Sequence, residues 1–222
     1  MTDLTTKIYI GYDSRHPIAS KVCEYSLRKH SKDLDINHLK LSDMEQLYWR
    51  EYKNQSTEFT YTRFLLPYLE DYKGWVLFCD NDFLFLDDVK KIFKLADDHY
   101  AVMCCQHNYK PKSDIKMNNE KQTIYKRKNW SSLMLINCGH PSMKKLDLST
   151  VSEQSGEYLH QFKWLKDEEI GYIPTNWNWL VNWYEETVDN KPYALHFTEG
   201  GPWIADSEYK DLWLNYKKQM EK

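Results

Sequence analysis

Residues 75–82 read Trp-Val-Leu-Phe-Cys-Asp-Asn-Asp, a short apolar run that follows Gly74 and ends in an acidic triplet. An apolar run of this length predicts a strand covered on both faces, as in the middle of an α/β sheet. Ligands of open α/β sheets bind beyond the carboxyl ends of the strands. The triplet Asp80-Asn81-Asp82 therefore occupies a favourable position for a functional site.

The two carboxylates of this triplet stand one residue apart and can share one hard cation. Proteins commonly hold Mg²⁺ or Mn²⁺ with one or two carboxylates together with substrate phosphates. The same residue types also form turns and caps by bonding to nearby backbone, so a structural role is the alternative interpretation. On the triplet alone both interpretations stand.

Strand and helix signals alternate around this run. Residues 7–12 have the β-branched and aromatic character of a strand, Asp13-Ser14 gives a turn, and Pro17 suits the first turn of a helix that reaches His30. Further strands are predicted at residues 36–41, 100–105, 133–137, 172–174 and 193–197, and further helices at residues 60–69, 158–165, after Asp87-Asp88 and after Trp203. Pro67 argues against an uninterrupted helix over 60–69.

This order predicts one α/β domain over residues 1–222, with a central mixed, mostly parallel sheet flanked by helices. Residues 108–128 are rich in Lys, Asn and Ser without a period, which predicts a long surface loop.

Composition excludes several classes of function. The 222 residues are 41% apolar and 28% charged with a net charge of −3, so no general basic field points to nucleic acid. No apolar run approaches the roughly 18 residues of a membrane span, and the start is polar, so we expect a cytoplasmic protein without a transmembrane segment. The five cysteines lack metal-type spacing and mostly lie in apolar runs, which indicates buried reduced thiols.

His196 is a candidate third ligand for the cation. It stands at the end of a predicted strand and precedes the pair Gly200-Gly201, whose backbone N–H groups could approach phosphate oxygens closely. A lone histidine is more often structural, so the case depends on its meeting Asp80 and Asp82 in space.

These motifs together resemble the GT-A glycosyltransferases, and especially the family-eight, glycogenin-like group with its small viral and bacterial relatives. The resemblance covers most of the chain. The matching segments are Tyr12-Asp13, Thr62-Arg63-Phe64-Leu65-Leu66-Pro67, Phe78-Cys79-Asp80-Asn81-Asp82, residues 133–137, residues 174–178 and residues 196–203.

The resemblance implies a fold, a metal and a donor, with a nucleotide-binding half over about residues 1–105 and an acceptor-side half over about residues 106–222. It implies that Asp80, Asp82 and His196 hold Mn²⁺, or Mg²⁺, against the diphosphate of a nucleotide sugar. It also implies the donor-binding residues, with Tyr12 and Asp13 bounding the base and ribose: Tyr12, Asp13, Arg63, Asn81, Gly200, Gly201 and Trp203. An arginine suits such a site because its planar fork pairs with phosphate in a bidentate manner.

Three positions depart from the pattern of these relatives. Gly201 stands before Pro202-Trp203 where many members have a diphosphate-binding Lys, so backbone amides at Gly200 and Gly201 or a Lys from residues 110–128 would have to supply that role. His160-Gln161 stands where members tend to have Asp-Gln, and Ser132 where they have Gly.

Catalytic and acceptor residues are harder to predict. His160 and Gln161 are the catalytic candidates, although a structural histidine at 160 is the equal alternative. Trp130, Asn176 and Trp177, with Trp179, combine aromatic faces and amides suited to a sugar, yet buried packing explains a tryptophan equally well.

The sequence thus predicts transfer of a hexosyl group from a nucleoside diphosphate sugar, a UDP-sugar in the first instance, to an acceptor hydroxyl of a glycan or another molecule. Kinship implies retention of the anomeric configuration. The alternative is a catalytically degenerate protein that binds nucleotide sugars or carbohydrates. A haloacid-dehalogenase phosphatase is disfavoured, because its acidic motif belongs on the first strand and here the triplet lies at 80 with Leu84 in the final slot.

Overall fold

The computed structural model of the chain describes residues 6–44, 46–53, 55–107 and 127–222. Within these ranges, nine strands run at β1 Lys7–Gly11, β2 Asp35–Leu39, β3 Trp75–Cys79, β4 Phe83–Phe85, β5 Val102–Cys104, β6 Leu133–Asn137, β7 Ile170–Tyr172, β8 Trp179–Leu180 and β9 Ala194–His196. The same described residues contain six α-helices, at α1 Pro17–His30, α2 Leu66–Leu69, α3 Lys90–Phe93, α4 Leu148–Glu153, α5 Gly156–His160 and α6 Lys210–Met220. None of the helices in these ranges is long and apolar enough to cross a membrane.

The main sheet has six strands in the order β2-β1-β3-β6-β5-β7. Strand β6 runs antiparallel to β3 and β5, whereas β1 pairs in parallel with β2 and β3, and β5 with β7. The prediction of a mixed, mostly parallel sheet is confirmed. Strand β3 lies near the middle of this sheet and every one of its five residues is buried, as its apolar composition predicts.

A second, three-stranded sheet in the order β4-β9-β8 was not predicted. Strand β4 follows the acidic triplet immediately and pairs antiparallel with β9, so that Phe83 lies opposite His196. This small sheet packs its own core against α1 and α6, with Leu84, Trp179, Leu195 and Trp213 buried in it. The single-sheet expectation is therefore incomplete.

Several predicted elements change in detail. The segment predicted as a helix over 60–69 is a 3₁₀ turn at Thr62–Leu65 followed by α2, with Pro67 in the first turn of α2 where its missing N–H is harmless. The helix predicted over 158–165 is wrong beyond His160, because Phe162 adopts a left-handed conformation with φ of 52°. The tail helix α6 begins at Lys210. Of the predicted loop at 108–128, residues 108–126 lie outside the described residues.

Two hydrophobic cores cover the faces of the main sheet. One face carries Phe59, Phe64, Phe78 and their neighbours, and the other carries α1 and α3 with Ile10, Cys23 and Leu77. All five cysteines are buried and free, as predicted.

Gly11 ends β1 under the ring of Phe59, which is 1% exposed. A Cβ at position 11 would lie 2.5 Å from Cδ2 of Phe59, closer than packed atoms tolerate. We expect Gly11→Ala to lower the free energy of unfolding by about 1–3 kcal/mol through overpacking, measured by urea denaturation.

Gly139→Ala is the matched control, because a Cβ there comes no closer than 3.6 Å to its neighbours. Its stability should stay within about 0.5 kcal/mol of the wild type, as for an uncrowded surface change. Equal stability of the two variants would contradict the close packing of Phe59 on β1.

Candidate metal and nucleotide-sugar site

Asp80, Asp82 and His196 meet at the carboxyl end of β3. Each offers one ligand atom, and these three atoms lie within 4.8 Å of one another. The pairing of β4 with β9 produces this meeting, since it sets Phe83 beside His196, with the two rings stacked at 4.5 Å between centroids. His196 Nε2 lies 3.4 Å from Oδ1 of Asp82. The acidic triplet and a histidine more than 100 residues downstream thus form one cluster.

The donor atoms of this cluster suit a divalent cation. Oδ1 of Asp82 is buried and has no hydrogen-bond partner among the described residues. A buried carboxylate oxygen without a partner carries a large desolvation cost, which a coordinated cation would remove. Two carboxylates and one imidazole are ligands that Mn²⁺ accepts. The cluster therefore fits a metal site, and the identity of the metal stays a prediction.

Arg63 contacts the cluster through the carboxylate of Asp80. Its side chain is 5% exposed and its Nη1 donates to Oδ1 of Asp80 at 2.6 Å and to the carbonyl of Ser131 at 2.8 Å. The guanidinium carbon lies 5.2 Å from the ring centroid of Phe59 and 4.8 Å from that of Phe78. These contacts make Arg63 a support for Asp80, whereas a direct contact with a donor stays a prediction.

Burial raises the pKa of the Asp80 carboxyl from 3.8 to about 6. Arg63 and His196 oppose the rise, and the negative charge of Asp82 adds to it. Without a cation the folded protein therefore keeps Asp80 protonated to a higher pH than an ordinary aspartate, although the carboxylate is mostly ionised at pH 7. A divalent ion bound here would favour the ionised form.

The turn formed by Ser131 and Ser132 joins these groups. The antiparallel register sets Cys79 of β3 opposite Leu133 of β6, so the turn before β6 lies against the residue after β3. The backbone N–H of Asp80 donates to the carbonyl of Ser132 at 2.9 Å. The hydroxyl of Ser131 lies 2.7 Å from Nδ1 of His160.

Known proteins share this fold. Protein CDI of Arabidopsis thaliana is 47% identical over 226 residues, which cover 97% of this chain and 87% of the plant protein. The chain belongs to the family of Protein CDI. That name states no activity, so the chemistry of this CDI-family member is argued from its site. No family model matches the sequence.

Solved glycosyltransferases resemble this CDI-family member in fold. The glycosyltransferase GlyE of Streptococcus pneumoniae TIGR4 superposes with a TM-score of 0.63 at 14% identity over 97% of this chain, which spans 60% of the GlyE chain. The galactosyltransferase LgtC, solved with donor and acceptor sugar analogues, superposes with a TM-score of 0.59 at 13% identity over 96% of both chains. A glycosyltransferase involved in glycosylation of the major capsid of PBCV-1 gives 0.53 at 11% identity. The GT-A fold is thus confirmed.

The residues expected around the base and ribose lie at the end of β1 in this CDI-family member. Asp13 is 1% exposed and both its carboxylate oxygens accept hydrogen bonds from Arg15, at 2.9 and 2.6 Å. Burial alone would raise the pKa of Asp13, but the hydrogen bonds and charge of Arg15 lower it overall. Tyr12 is half-buried, with Lys40 5.3 Å from its ring centroid. The roles of Tyr12 and Asp13 toward a donor stay predictions.

The glycine pair makes local contacts in the structure. The N–H of Gly200 donates to the carbonyl of Phe197 at 3.0 Å, and the expectation that the glycine amides meet a phosphate stays a prediction. A Cβ on Gly201 would lie 2.0 Å from the ring of Trp203, which requires glycine there. Trp203 in turn packs on Trp213 at 5.4 Å. Asn81 is 6% exposed, and its donor role stays a prediction.

The aromatic candidates for sugar binding lie mainly in the core. Trp177 is 3% exposed and Trp179 is 1% exposed, which agrees with the core alternative, and a contact of either with a ligand stays a prediction. Asn176 donates to Asn190 Oδ1 and to the carbonyl of Lys191, both at 2.8 Å. Trp130 is half-buried.

The two catalytic candidates differ in their contacts. His160 contacts the site through Ser131, and its ring meets that of Phe64 edge-on at 5.1 Å. The backbone carbonyl of Gln161 accepts from Arg127 at 2.7 Å. Catalytic roles for His160 and Gln161 stay predictions.

Sequence reasoning missed two residues beside the cluster. Asn178 is fully buried and its Oδ1 lies 2.8 Å from Nδ1 of His196. His107 is 6% exposed, and burial together with the nearby charge of His196 lowers its pKa to about 3, so it is neutral. Nothing in the local pattern could identify either residue, because their partners are remote in sequence. Asn178 lay inside a matching segment without an assigned role.

The Asp80 pKa generates a pH prediction for the metal-free protein. Because the folded-state pKa is raised above the unfolded value, the folded state binds more protons between about pH 4 and 6, and stability falls as pH rises through that window. We expect the wild type to lose about 1–3 kcal/mol between pH 4 and 7 relative to Asp80→Asn, which cannot ionise there.

Urea denaturation of both proteins in a chelating buffer at several pH values measures this difference. Saturating Mn²⁺ should reverse the trend for the wild type only. A pH-independent difference between the two proteins would show that Asp80 ionises as freely as in the unfolded chain.

Proposed function

We propose that this chain is a metal-dependent glycosyltransferase that moves a hexosyl group from a nucleoside diphosphate sugar, a UDP-sugar in the first instance, to an acceptor hydroxyl. The observation that carries the proposal is the Asp80, Asp82 and His196 cluster at the carboxyl end of β3. The fold that the chain shares with glycosyltransferases supports the same conclusion. Ligands of α/β sheets bind at this edge, where a diphosphate can complete the coordination of a cation.

The three proposed metal ligands and Arg63 have different roles at the donor. Asp80, Asp82 and His196 would hold Mn²⁺ or Mg²⁺, and the bound ion would offset the charge that develops on the leaving diphosphate. Arg63 orients Asp80 through the bond at 2.6 Å. Because Arg63 is buried and packs against two aromatic rings, it holds that carboxylate in one position.

The nucleotide and the acceptor would lie on either side of this cluster. Tyr12 at the end of β1 bounds the base, and Asn81 and Trp203 line the donor pocket. Of the Lys candidates at residues 110–128 for the role of the absent Lys at Gly201, those at 110–126 lie outside the described residues, and the backbone amides at Gly200 and Gly201 are the other candidates. Trp130 and Asn176 contact the acceptor, and His160 with Gln161 face the sugar. Transfer then requires only that the acceptor hydroxyl is oriented toward an oxocarbenium-like centre.

Loss of Asp82 tests the metal site directly. We expect purified wild type to release UDP from a UDP-sugar in the presence of Mn²⁺, and Asp82→Asn to lower this rate by more than about 100-fold, beyond the 10–100-fold typical of residues that only support a ligand. Chelation should abolish release by the wild type. A coupled assay for UDP measures the rates of the wild type, of Asp82→Asn and of the wild type with chelator.

Asp71→Asn is the matched control, since Asp71 is exposed and pairs only with Lys73 among the contacts described. It should retain the wild-type rate. Nucleotide-sugar binding without release, with any of a panel of sugar acceptors, would overturn the enzyme and favour a degenerate binding protein.

A thermal-shift panel tests the donor. We expect UDP-sugars to raise the melting temperature more than GDP- or dTDP-sugars and only with Mn²⁺ present, since a ligand at 100 times its Kd stabilises by about 2.7 kcal/mol. For a chain of this size that corresponds to about 2–4 °C for each kcal/mol. Equal shifts with and without metal, or in His196→Ala, would contradict the proposed bridge between cation and diphosphate.

A further inference from the structure

The two ring nitrogens of His196 face different partners. Nε2 lies 3.4 Å from Oδ1 of Asp82, and Nδ1 lies 2.8 Å from Oδ1 of Asn178. A neutral imidazole carries its proton on one nitrogen and a lone pair on the other, and only the nitrogen with the lone pair can bind a cation. The partner of Nδ1 therefore decides whether Nε2 is a ligand.

The hydrogen bonds behind His196 have only one possible direction. They begin at the backbone carbonyl of Asn129, which can only accept. The hydroxyl of Ser132 donates its single hydrogen to that carbonyl at 2.7 Å. Toward Asn178 the oxygen of Ser132 can then only accept, and it does so from Nδ2 at 2.9 Å. A second contact joins Nδ2 of Asn178 to the Asn129 carbonyl at 3.4 Å.

The orientation of the Asn178 amide follows from this order. With Nδ2 directed at Ser132, Oδ1 is directed at His196 and must accept a hydrogen bond from Nδ1–H. Asn178 is fully buried and Ser132 is 4% exposed, so water cannot readily replace either bond. The reverse amide orientation would direct Oδ1 at Ser132, whose single hydrogen cannot serve both this oxygen and the Asn129 carbonyl 2.7 Å away, so one close pair of oxygens would have no hydrogen between them.

We propose that Asn178, oriented by Ser132 against the Asn129 carbonyl, is a positioning residue that holds His196 in the tautomer protonated on Nδ1. Nε2 then presents its lone pair to the space beside the unpartnered Oδ1 of Asp82. The link to a cation rests on the proposed function, whereas the tautomer does not. Partners of this kind behind a metal-bound histidine commonly change metal affinity 10- to 100-fold.

Asn178→Leu removes the amide at similar volume. Without an acceptor for Nδ1, the proton of His196 moves to Nε2, where it can bond Asp82, and this blocks the ligand position. We expect the affinity for Mn²⁺, measured by titration calorimetry with and without UDP, to fall about 10–100-fold. Ser132→Ala should shift the affinity in the same direction by a smaller factor, since the Asn129 carbonyl still receives Nδ2.

Ser131→Ala is the matched control. Ser131 precedes Ser132 in the same turn and is 5% exposed, but its hydroxyl contacts His160 and not Asn178. Its Mn²⁺ affinity should stay within about twofold of the wild type, well inside the effect expected for Asn178→Leu. Asn178→Asp keeps an acceptor toward Nδ1 and should preserve the tautomer, which separates hydrogen-bond acceptance from packing.

Nitrogen NMR of the metal-free protein reads the tautomer without any activity. Spectra of ¹⁵N-histidine-labelled protein at about pH 8, above the ordinary imidazole pKa, assign His196 by its loss in His196→Gln. We expect protonated Nδ1 in the wild type, Ser131→Ala and Asn178→Asp, and protonated Nε2 in Asn178→Leu. If Asn178→Leu does not fold, Ser132→Ala should show a mixture of the two tautomers.

Protonated Nε2 in the wild type would overturn the proposal. So would protonated Nδ1 in folded Asn178→Leu, or in Ser132→Ala where the leucine variant is unfolded. Failure of the proposed function is a separate outcome. If the wild type releases no UDP but shows a protonated Nδ1 that is lost in Asn178→Leu, the positioning role of Asn178 holds and the transferase activity is refuted.

Discussion

The buried ion pair between Arg63 and Asp80 is the interaction on which the site depends. A guanidinium that is 5% exposed needs a partner of opposite charge, and Asp80 provides it at 2.6 Å. The guanidinium packs against the rings of Phe59 and Phe78, and Phe59 in turn rests on Gly11 at the end of β1. The pair thereby ties the segment before α2 to the ends of two central strands, so that removing either charge would leave the other buried without compensation.

Two antiparallel pairings carry remote residues to this ion pair. The β3–β6 register delivers the Ser131–Ser132 turn, whose carbonyls accept from Arg63 and from the backbone of Asp80. The β4–β9 register delivers His196. Each pairing reverses the chain direction relative to a purely parallel sheet. The reversed strand β6 and the small second sheet are therefore what bring the ligands together, since parallel strands alone would not supply a turn and a histidine at the same edge.

The strengths and failures of the sequence analysis have physical causes. Strands β3 and β6 were predictable because both are continuous apolar runs buried on two faces. Strand β4 was missed because its three residues follow the triplet without a turn signal of their own. Trp177 was ambiguous because composition cannot distinguish a core indole from a binding one. The contacts of Arg63 and Asn178 could not be predicted from the sequence, since their partners lie 17 to 68 residues away along the chain.

The two aspartates of the triplet are one residue apart but differ in charge environment. Asp80 shares its carboxylate with Arg63, whereas Oδ1 of Asp82 has no hydrogen-bond donor among the described residues. With neutral His196 and both aspartates ionised, two negative charges and the one positive charge of Arg63 leave a formal charge of −1. A divalent cation would turn this into +1. Such a site would hold a bare cation weakly, and the bound cation would attract a diphosphate, so metal and donor would stabilise each other. Arg63 thus sets the net charge of the site as well as the position of Asp80.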